Sequence, residues 1–271
     1  MFFDLILATI HRKAPLFELV TSLRQQTHPH FRILLVDQNP PGFLDSIIAE
    51  FQSKPQPLQI VHLRCQPGLS AARNAAIPHL SGDAVALVDD DSTFAPDTLS
   101  RAATALCSCD VAIGSLLPPT PLRVEKSTQS RRVATVRDLF RSAPSATIFF
   151  RRSVLDTIGM FDETLGAGAG TPFGSGEETD YLIRTFRAGF HIHRHPEIRV
   201  FHPSPDFSSP EAAQKARSYG RGRHHVIQKH DLGTCFLIAN ALHTFLKYIH
   251  TWNDKTQRKF WREMTLGRLG L

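Results

Sequence analysis

Three aspartates in a row, Asp89, Asp90 and Asp91, follow the apolar run AVALV and precede STF. Adjacent carboxylates repel one another, so a strand end of this composition needs a cation or hydrogen-bond donors beside it. Two structural explanations compete: a solvated acidic loop, or an N-cap for the helix predicted after Pro96. Other residues weigh toward a site. Asp37 ends the apolar run FRILLVD, and Thr9 and Arg12 stand at and just past the end of FFDLILAT.

A second acidic group, Glu177, Glu178 and Asp180, lies in GSGEETDYLIRTFRAGF. The spacing of Leu182, Ile183, Phe186 and Phe190 predicts a helix with one buried stripe, closed by Gly189 at C′ with Arg187 in the last turn. Ser175, three residues before Glu178, has the spacing of a capping box. Acids at a helix start also favour the macrodipole, which gives this group a purely structural explanation.

The elements that must position these acids alternate. Strands over FFDLILAT, FRILLVD, LQIVHL, AVALVD and VAIGS are separated by helices. Pro15 opens the first helix, with Leu16, Leu19, Val20 and Leu23 on its inner face. Phe43, Leu44, Ile47, Ile48 and Phe51 mark the second, and Ser70 is placed to cap the third. Continuous apolar strands between amphipathic helices predict a mostly parallel sheet covered on both faces. Ligands bind outside the carboxyl ends of such strands, where Thr9, Arg12, Asp37 and Asp89 to Asp91 converge. Neither the G-x-G-x-x-G nor the Walker phosphate loop is present, so carboxylates holding Mg²⁺ or Mn²⁺ against a diphosphate are the expected substitute.

The chain has 271 residues, 42% of them hydrophobic, enough for a packed core. The amino terminus reads as a buried strand and not as a signal peptide, since it carries Asp4 and no basic stretch; no uncharged apolar run reaches the 18 or so residues of a membrane span. Four cysteines without C-x-x-C spacing are expected to be reduced. These features predict a cytoplasmic protein. Lys and Arg balance Asp and Glu at 20 each over residues 1–205, whereas residues 206–271 hold 11 against 5. A nucleic-acid module would spread its positive charge over the folded part, so nucleic acid is not an expected partner.

Together, ATIHR, LLVDQNP, QPGLSAARNAAI, SGDAVALVDDD, GSGEETDYLIRTFRAGF and VFHP resemble an inverting glycosyltransferase of family 2 over residues 2 to about 205. The resemblance implies a GT-A (Rossmann-like) α/β fold and a nucleotide-diphospho-sugar donor carrying UDP, GDP or dTDP. It implies that Asp37 contacts base or ribose, that Thr9, Arg12 and Arg73 frame the nucleotide, and that Asp89 and Asp91 serve ribose and metal, with Asp90 sharing either role. His202 is implied as a third metal ligand beside Mn²⁺ or Mg²⁺. In the family the second acid of a Glu-Asp pair at a helix start is the base. Glu-Glu stands here, so Glu178 is the candidate base, with Glu177 orienting the acceptor or the loop and Asp180 the alternative. The other histidines, HIHRH at 191–195 included, alternate as a strand edge would and show no metal-site spacing.

The expected organisation is a nucleotide-sugar-binding half over 1–115, a mobile connection over 116–144, an acceptor-binding and catalytic half over 145–205, and a basic helical extension over 206–271. Within the extension, QKARSYGRGRHHVIQKH reads as basic with flexible glycines. Ile238, Ala241, Leu242, Phe245 and Ile249 share a helical face, predicted either to pack on the domain or to lie against anionic lipid on the inner face of the cell membrane. The acceptor is expected to be a glycan, a polysaccharide or a lipid-linked saccharide. One sugar is added per visit, since Q-x-x-R-W is absent. The rivals are a sugar-phosphate nucleotidyltransferase, which would carry a Gly-rich basic loop after strand one, and a non-catalytic nucleotide- or glycan-binding protein.

Overall fold

The apolar runs become strands in the computed structural model, which describes residues 1–53, 57–119, 131–140 and 143–271. In order the elements are β1 (Phe3–Thr9), α1 (Ala14–Arg24), β2 (Phe31–Asp37), α2 (Asp45–Ser53), β3 (Ile60–Arg64), α3 (Leu69–Ala76), β4 (Ala84–Asp89), β5 (Thr93–Phe94) and α4 (Thr98–Ala105). There follow β6 (Val111–Leu117), β7 (Arg131–Arg132), α5 (Val136–Leu139), β8 (Ile148–Arg151), α6 (Arg152–Ile158), α7 (Glu177–Arg187), β9 (Ile192–Phe201), α8 (Ala212–Lys229), α9 (Thr234–His250) and α10 (Lys255–Arg268).

The chain divides into two compact units. One comprises residues 1–67, 71–161 and 181–203, and the other 68–70, 162–180 and 204–271. Residues 162–180, which the sequence pattern placed with the 145–205 half, thus group with the C-terminal helices. Of the expected connection over 116–144, residues 120–130 and 141–142 lie outside the described residues. In its described part β6 runs on to Leu117, β7 pairs with β9, and α5 opens on a capping box between Thr135 and Asp138.

The first unit holds the sheet, with strands in the order β3-β2-β1-β4-β8-β6-β9-β5 and β7 also paired with β9. β3, β2, β1 and β4 form the expected parallel run; beyond β4 the sheet is mixed, because β8 runs antiparallel to both β4 and β6. Phe3, Leu5 and Leu7 of β1 pack with Leu19 and Leu23 of α1 and Phe149 of β8 in one core. The aspartate inside β1 is fully buried and fully engaged: Asp4 accepts from Arg32 Nε at 2.5 Å, Ser81 N at 2.6 Å and Gly82 N at 2.7 Å. β9 is no sheet edge, for it lies between β6 on one side and β5 and β7 on the other.

In the second unit, α8 and α10 pack through glycine. A Cβ on Gly267 would fall 2.2 Å from the Arg217 carbonyl oxygen, and one on Gly222 2.1 Å from that of Ser175. The glycines expected to make this basic stretch flexible sit inside α8, where their missing side chains let backbones approach. α9 buries Asn240, Ala241 and Thr244. Its larger apolar side chains face outward: Ile238 is 56% exposed, Leu242 50% and Leu246 57%, and Trp252, just past the helix, 60%. Among the described residues no helix is long and apolar enough to cross a membrane.

Candidate functional site

The parallel register gathers the first group of acids. Thr9 stands opposite Asp37, and Ala8 opposite Asp89, so the carboxyl ends of β2, β1 and β4 are level. Asp90, just past β4, accepts from Thr9 Oγ1 and from Arg12 Nη1, both at 2.7 Å. Arg12 Nη1 also pairs with Asp91 Oδ2. On its other oxygen Asp91 meets His202 Nε2 at 3.0 Å, and His202 is oriented by an Nδ1–H that donates to the Pro203 carbonyl at 2.7 Å. Asp89 accepts from Ser145 Oγ at 3.0 and 3.1 Å, and its charge faces the buried Arg73. None of the three caps the next helix, whose N-cap position is Asp97.

Each acid is tuned by its surroundings. Burial raises Asp89 and Asp90 above the ordinary carboxylate range, opposed at Asp89 by Arg73 and Ser145 and at Asp90 by Thr9 and Arg12. Burial also opposes the ionisation of Asp91, yet the hydrogen bond and charge of His202, with Arg12, hold it down to about 2. The Asp91 hydrogen bond in turn raises His202. Asp91 is therefore ionised and flanked by an imidazole; its charge acts on Asp89, and that of Asp89 on His202. Two carboxylates and one imidazole are a donor set that suits Mn²⁺, and with less need of the imidazole Mg²⁺. The donor types suit the expected divalent cation, while in this structure Asp91 and His202 are paired with each other and Asp89 with Ser145.

Asp37 is fully buried at the end of β2. Its Oδ1 accepts from Asn39 N at 2.9 Å and Asn39 Nδ2 at 2.7 Å, while Oδ2 meets His62 Nε2 at 3.1 Å and Arg64 Nη2 at 3.6 Å. Ser145, Asn39 and His62 were not singled out in the sequence. Asn39 carried a local signal, two residues after an aspartate at a strand end, where an Asx turn is common. Ser145 carried none, since its partner is 56 residues away.

The second group belongs to the other unit. α7 begins at Glu177, two residues after Ser175, so Ser175 is not the expected cap; its hydroxyl donates to the Tyr219 carbonyl at 2.9 Å. At the other end Gly189, at φ +90°, closes the helix as expected. Glu177 is buried and Glu178 half-buried. Burial lowers Arg223 to about 10, against the charge of Glu178. Arg223 Nε donates to Asn240 Oδ1 at 3.0 Å, which also takes Arg268 Nη1 at 2.6 Å. Asp180 is fully buried between Lys229 Nζ at 2.7 Å and His230 Nε2 at 2.8 Å, and Lys229 reaches on to Asp162 at 2.6 Å. Asp180 thus anchors α8 to the start of α7.

Comparison with known proteins bears on the family and the fold. The sequence model described as "Glycosyl transferase family 2" matches residues 4–164. The uncharacterized glycosyltransferase YwdF of Bacillus subtilis (strain 168) is 25% identical over 240 residues, covering 85% of this chain and 84% of YwdF. The succinoglycan biosynthesis protein ExoM of Rhizobium meliloti (strain 1021) is 24% identical over 227 residues, covering 79% and 71%. Among solved structures, the mannosyltransferase PcManGT from Pyrobaculum calidifontis, in complex with GDP-Man and Mn²⁺, superposes with a TM-score of 0.68 at 15% identity, over 98% of this chain and 84% of that one. TarS 1–349 of S. aureus in complex with UDP-GlcNAc gives a TM-score of 0.61 at 19% identity, over 100% and 92%.

Proposed function

Because the chain belongs to glycosyl transferase family 2, we propose that it moves a sugar from a nucleotide-diphospho-sugar to a hydroxyl acceptor with inversion, one sugar per visit. Its activity class, glycosyl transfer, follows from the family. The observation that carries the donor reading is the cluster of Asp89, Asp90, Asp91, Thr9, Arg12 and His202 at the carboxyl ends of the strands. The GDP-Man and Mn²⁺ of PcManGT, and the UDP-GlcNAc of TarS, support the same class of donor and a divalent cation.

In this reading Asp37 and its neighbours hold base or ribose, and Arg73 and Thr9 position Asp89 and Asp90 beside the diphosphate. Asp89, Asp91 and His202 would hold Mn²⁺ or Mg²⁺, which when bound offsets charge on a diphosphate. Glu178 takes the proton of the acceptor hydroxyl as the new bond forms at C1 of the sugar; the bond from C1 to the diphosphate breaks and its electron pair leaves with the nucleoside diphosphate. Two features favour Glu178 over Asp180. The Glu178 carboxylate faces the charge of Arg223, and Asp180 is already committed to Lys229 and His230. Glu177 orients the acceptor.

The acceptor is proposed to be a saccharide of the cell envelope, lipid-linked, met while α9 lies on an anionic membrane. The outward apolar side chains of α9, with Lys247, Lys255 and Lys259 close by in sequence, support this contact.

The deciding experiment is a thermal-shift panel of UDP, GDP and dTDP and their sugars, with Mn²⁺, Mg²⁺ or EDTA. A ligand at about 100 times its Kd should add roughly 2.7 kcal/mol of stability. A metal-dependent shift with one nucleotide is expected; no shift with any would overturn the donor site. Release of a nucleoside diphosphate, rather than of inorganic diphosphate, separates glycosyl transfer from nucleotidyl transfer.

A further inference from the structure

A second group of ligating side chains lies away from the aspartates. Cys109 ends the turn between α4 and β6, and β6 runs parallel to β9 with Ala112 opposite His193. His193 and His195 lie two residues apart on β9, where its register with β6 breaks after Arg194. Their rings are nearly parallel, at 19°, with centroids 6.2 Å apart. One ligand atom from each of Cys109, His193 and His195 lies within 4.8 Å of the others. Cys109 is 3% exposed and His195 6%, while His193 is half-buried and gives access from one side.

His195 is set up as a ligand. Its Nδ1 lies 3.0 Å from Glu197 Oε1, which fixes the proton there and leaves the lone pair on Nε2. That Nε2 is buried and has no hydrogen-bond partner among the described residues. An unmatched buried acceptor is destabilising, so this one invites a partner. A carboxylate bonded to the far nitrogen of an imidazole is the usual support of a metal-ligating histidine.

We propose that Cys109, His193 and His195 bind a transition-metal ion, Zn²⁺ by preference, with Glu197 as the carboxylate that positions His195. One thiolate and two imidazoles are softer than the donor set at Asp89 and Asp91, so the two places select different ions. Three protein ligands leave a position for water. Burial pushes the Cys109 thiol up to about 11, so it is inert by itself and gives up its proton to solvent only as an ion binds. The exposed Arg132 pairs with His193 in the β7–β9 ladder and works against a cation; Asp110 and Glu197 work for one. β9 bulges between Arg194 and Arg199, so the matching stretch of β6, from Ile113 opposite Arg194 to Leu117 opposite Phe201, is four residues; at 3.3 Å per residue it places the proposed site about 13 Å along the sheet from His202 and apart from the aspartates. Its role is to tie the start of β6 to β9.

Cobalt titration of the purified full chain tests this, with absorbance as the readout. Co²⁺ should give a thiolate-to-metal charge-transfer band that Zn²⁺ displaces. The band should vanish in Cys109→Ser and persist in Cys107→Ser and Asp91→Ala, and Co²⁺ affinity should fall at least 10-fold in His193→Ala and in Glu197→Gln. The proposal is overturned by the absence of a thiolate band in the wild type, or by its survival at full affinity in Cys109→Ser. Should Cys109→Ser not fold, the half-exposed His193 decides: unchanged affinity in His193→Ala overturns the proposal.

Discussion

His202 Nε2 stands 3.0 Å from Asp91 Oδ1, so the residue that follows β9 clamps the last of the three aspartates at the end of β4. Asp91→Asn removes the charge that a cation would meet. Several kcal/mol of charge stabilisation should be lost, which lowers turnover about 10³-fold or more. Calorimetric titration of the nucleoside diphosphate with Mn²⁺ should give no metal-dependent binding in this variant and weakened binding in His202→Gln. Normal metal-dependent binding in Asp91→Asn would remove the aspartate from the cation site.

Glu178 and Asp180 should separate cleanly. Glu178→Gln is expected to lower kcat by about 10²–10⁴-fold while donor binding and Tm stay near wild type. Asp180→Ala removes one partner from His230 and one from Lys229, which keeps Asp162, and should cost about 3 kcal/mol of stability, the lower end for a buried pair because Lys229 is partly exposed. Urea unfolding and initial rates measure the two effects. Wild-type kcat in Glu178→Gln would end its assignment as the base.

The outward face of α9 should bind membrane. Vesicles with anionic lipid should sediment the wild-type chain and high salt should weaken the association. Leu242→Ser with Leu246→Ser should reduce it at least about 10-fold, since each buried leucine contributes roughly 1.5–3 kcal/mol. Failure of the wild type to sediment with such vesicles would leave the face without this partner.

Protonation of His225 should destabilise the fold as the pH falls from 7 toward 5. His225 is stacked on Phe173 at 4.2 Å, and burial, then Lys229, lowers it below the usual histidine value, against Asp162 and Asp180. His193 and His243 are lowered too, by burial first. A group lowered in the folded state contributes stability above its unfolded pKa of about 6.5 and loses it as pH falls. His202, raised by Asp91, contributes in the opposite sense, fully present below about 6.5. His225→Phe should therefore make Tm fall less between pH 7 and 5 than it does in the wild type. A slope unchanged by His225→Phe would contradict its depressed pKa.

Local pattern was sufficient for much of this. Each apolar run that ends in a polar residue became a strand, and parallel strands must end together, so Thr9, Asp37 and Asp89 were legible as neighbours although up to 80 residues separate them. The α7 stripe and the Gly189 cap are likewise written within one helix length, as was the basic, apolar alternation of α9. Which side of α9 faces outward was not, because Asn240, Ala241 and Thr244 are small enough to pack closely while their larger neighbours are not, and that depends on what lies opposite.

What only the tertiary structure decided concerns partners far apart in sequence with no periodicity to announce them. Asp180 reads as one more acid at a helix start until Lys229 and His230, about 50 residues on, surround it. Gly222 reads as a flexible joint until the Ser175 carbonyl lies where its Cβ would be. Cys109 and His195 read as unrelated until β6 lies beside β9. Periodicity encodes which face of an element is buried, whereas the identity of the neighbour is set by packing, where a separation of a few ångströms decides between a cap, a salt bridge and a ligand.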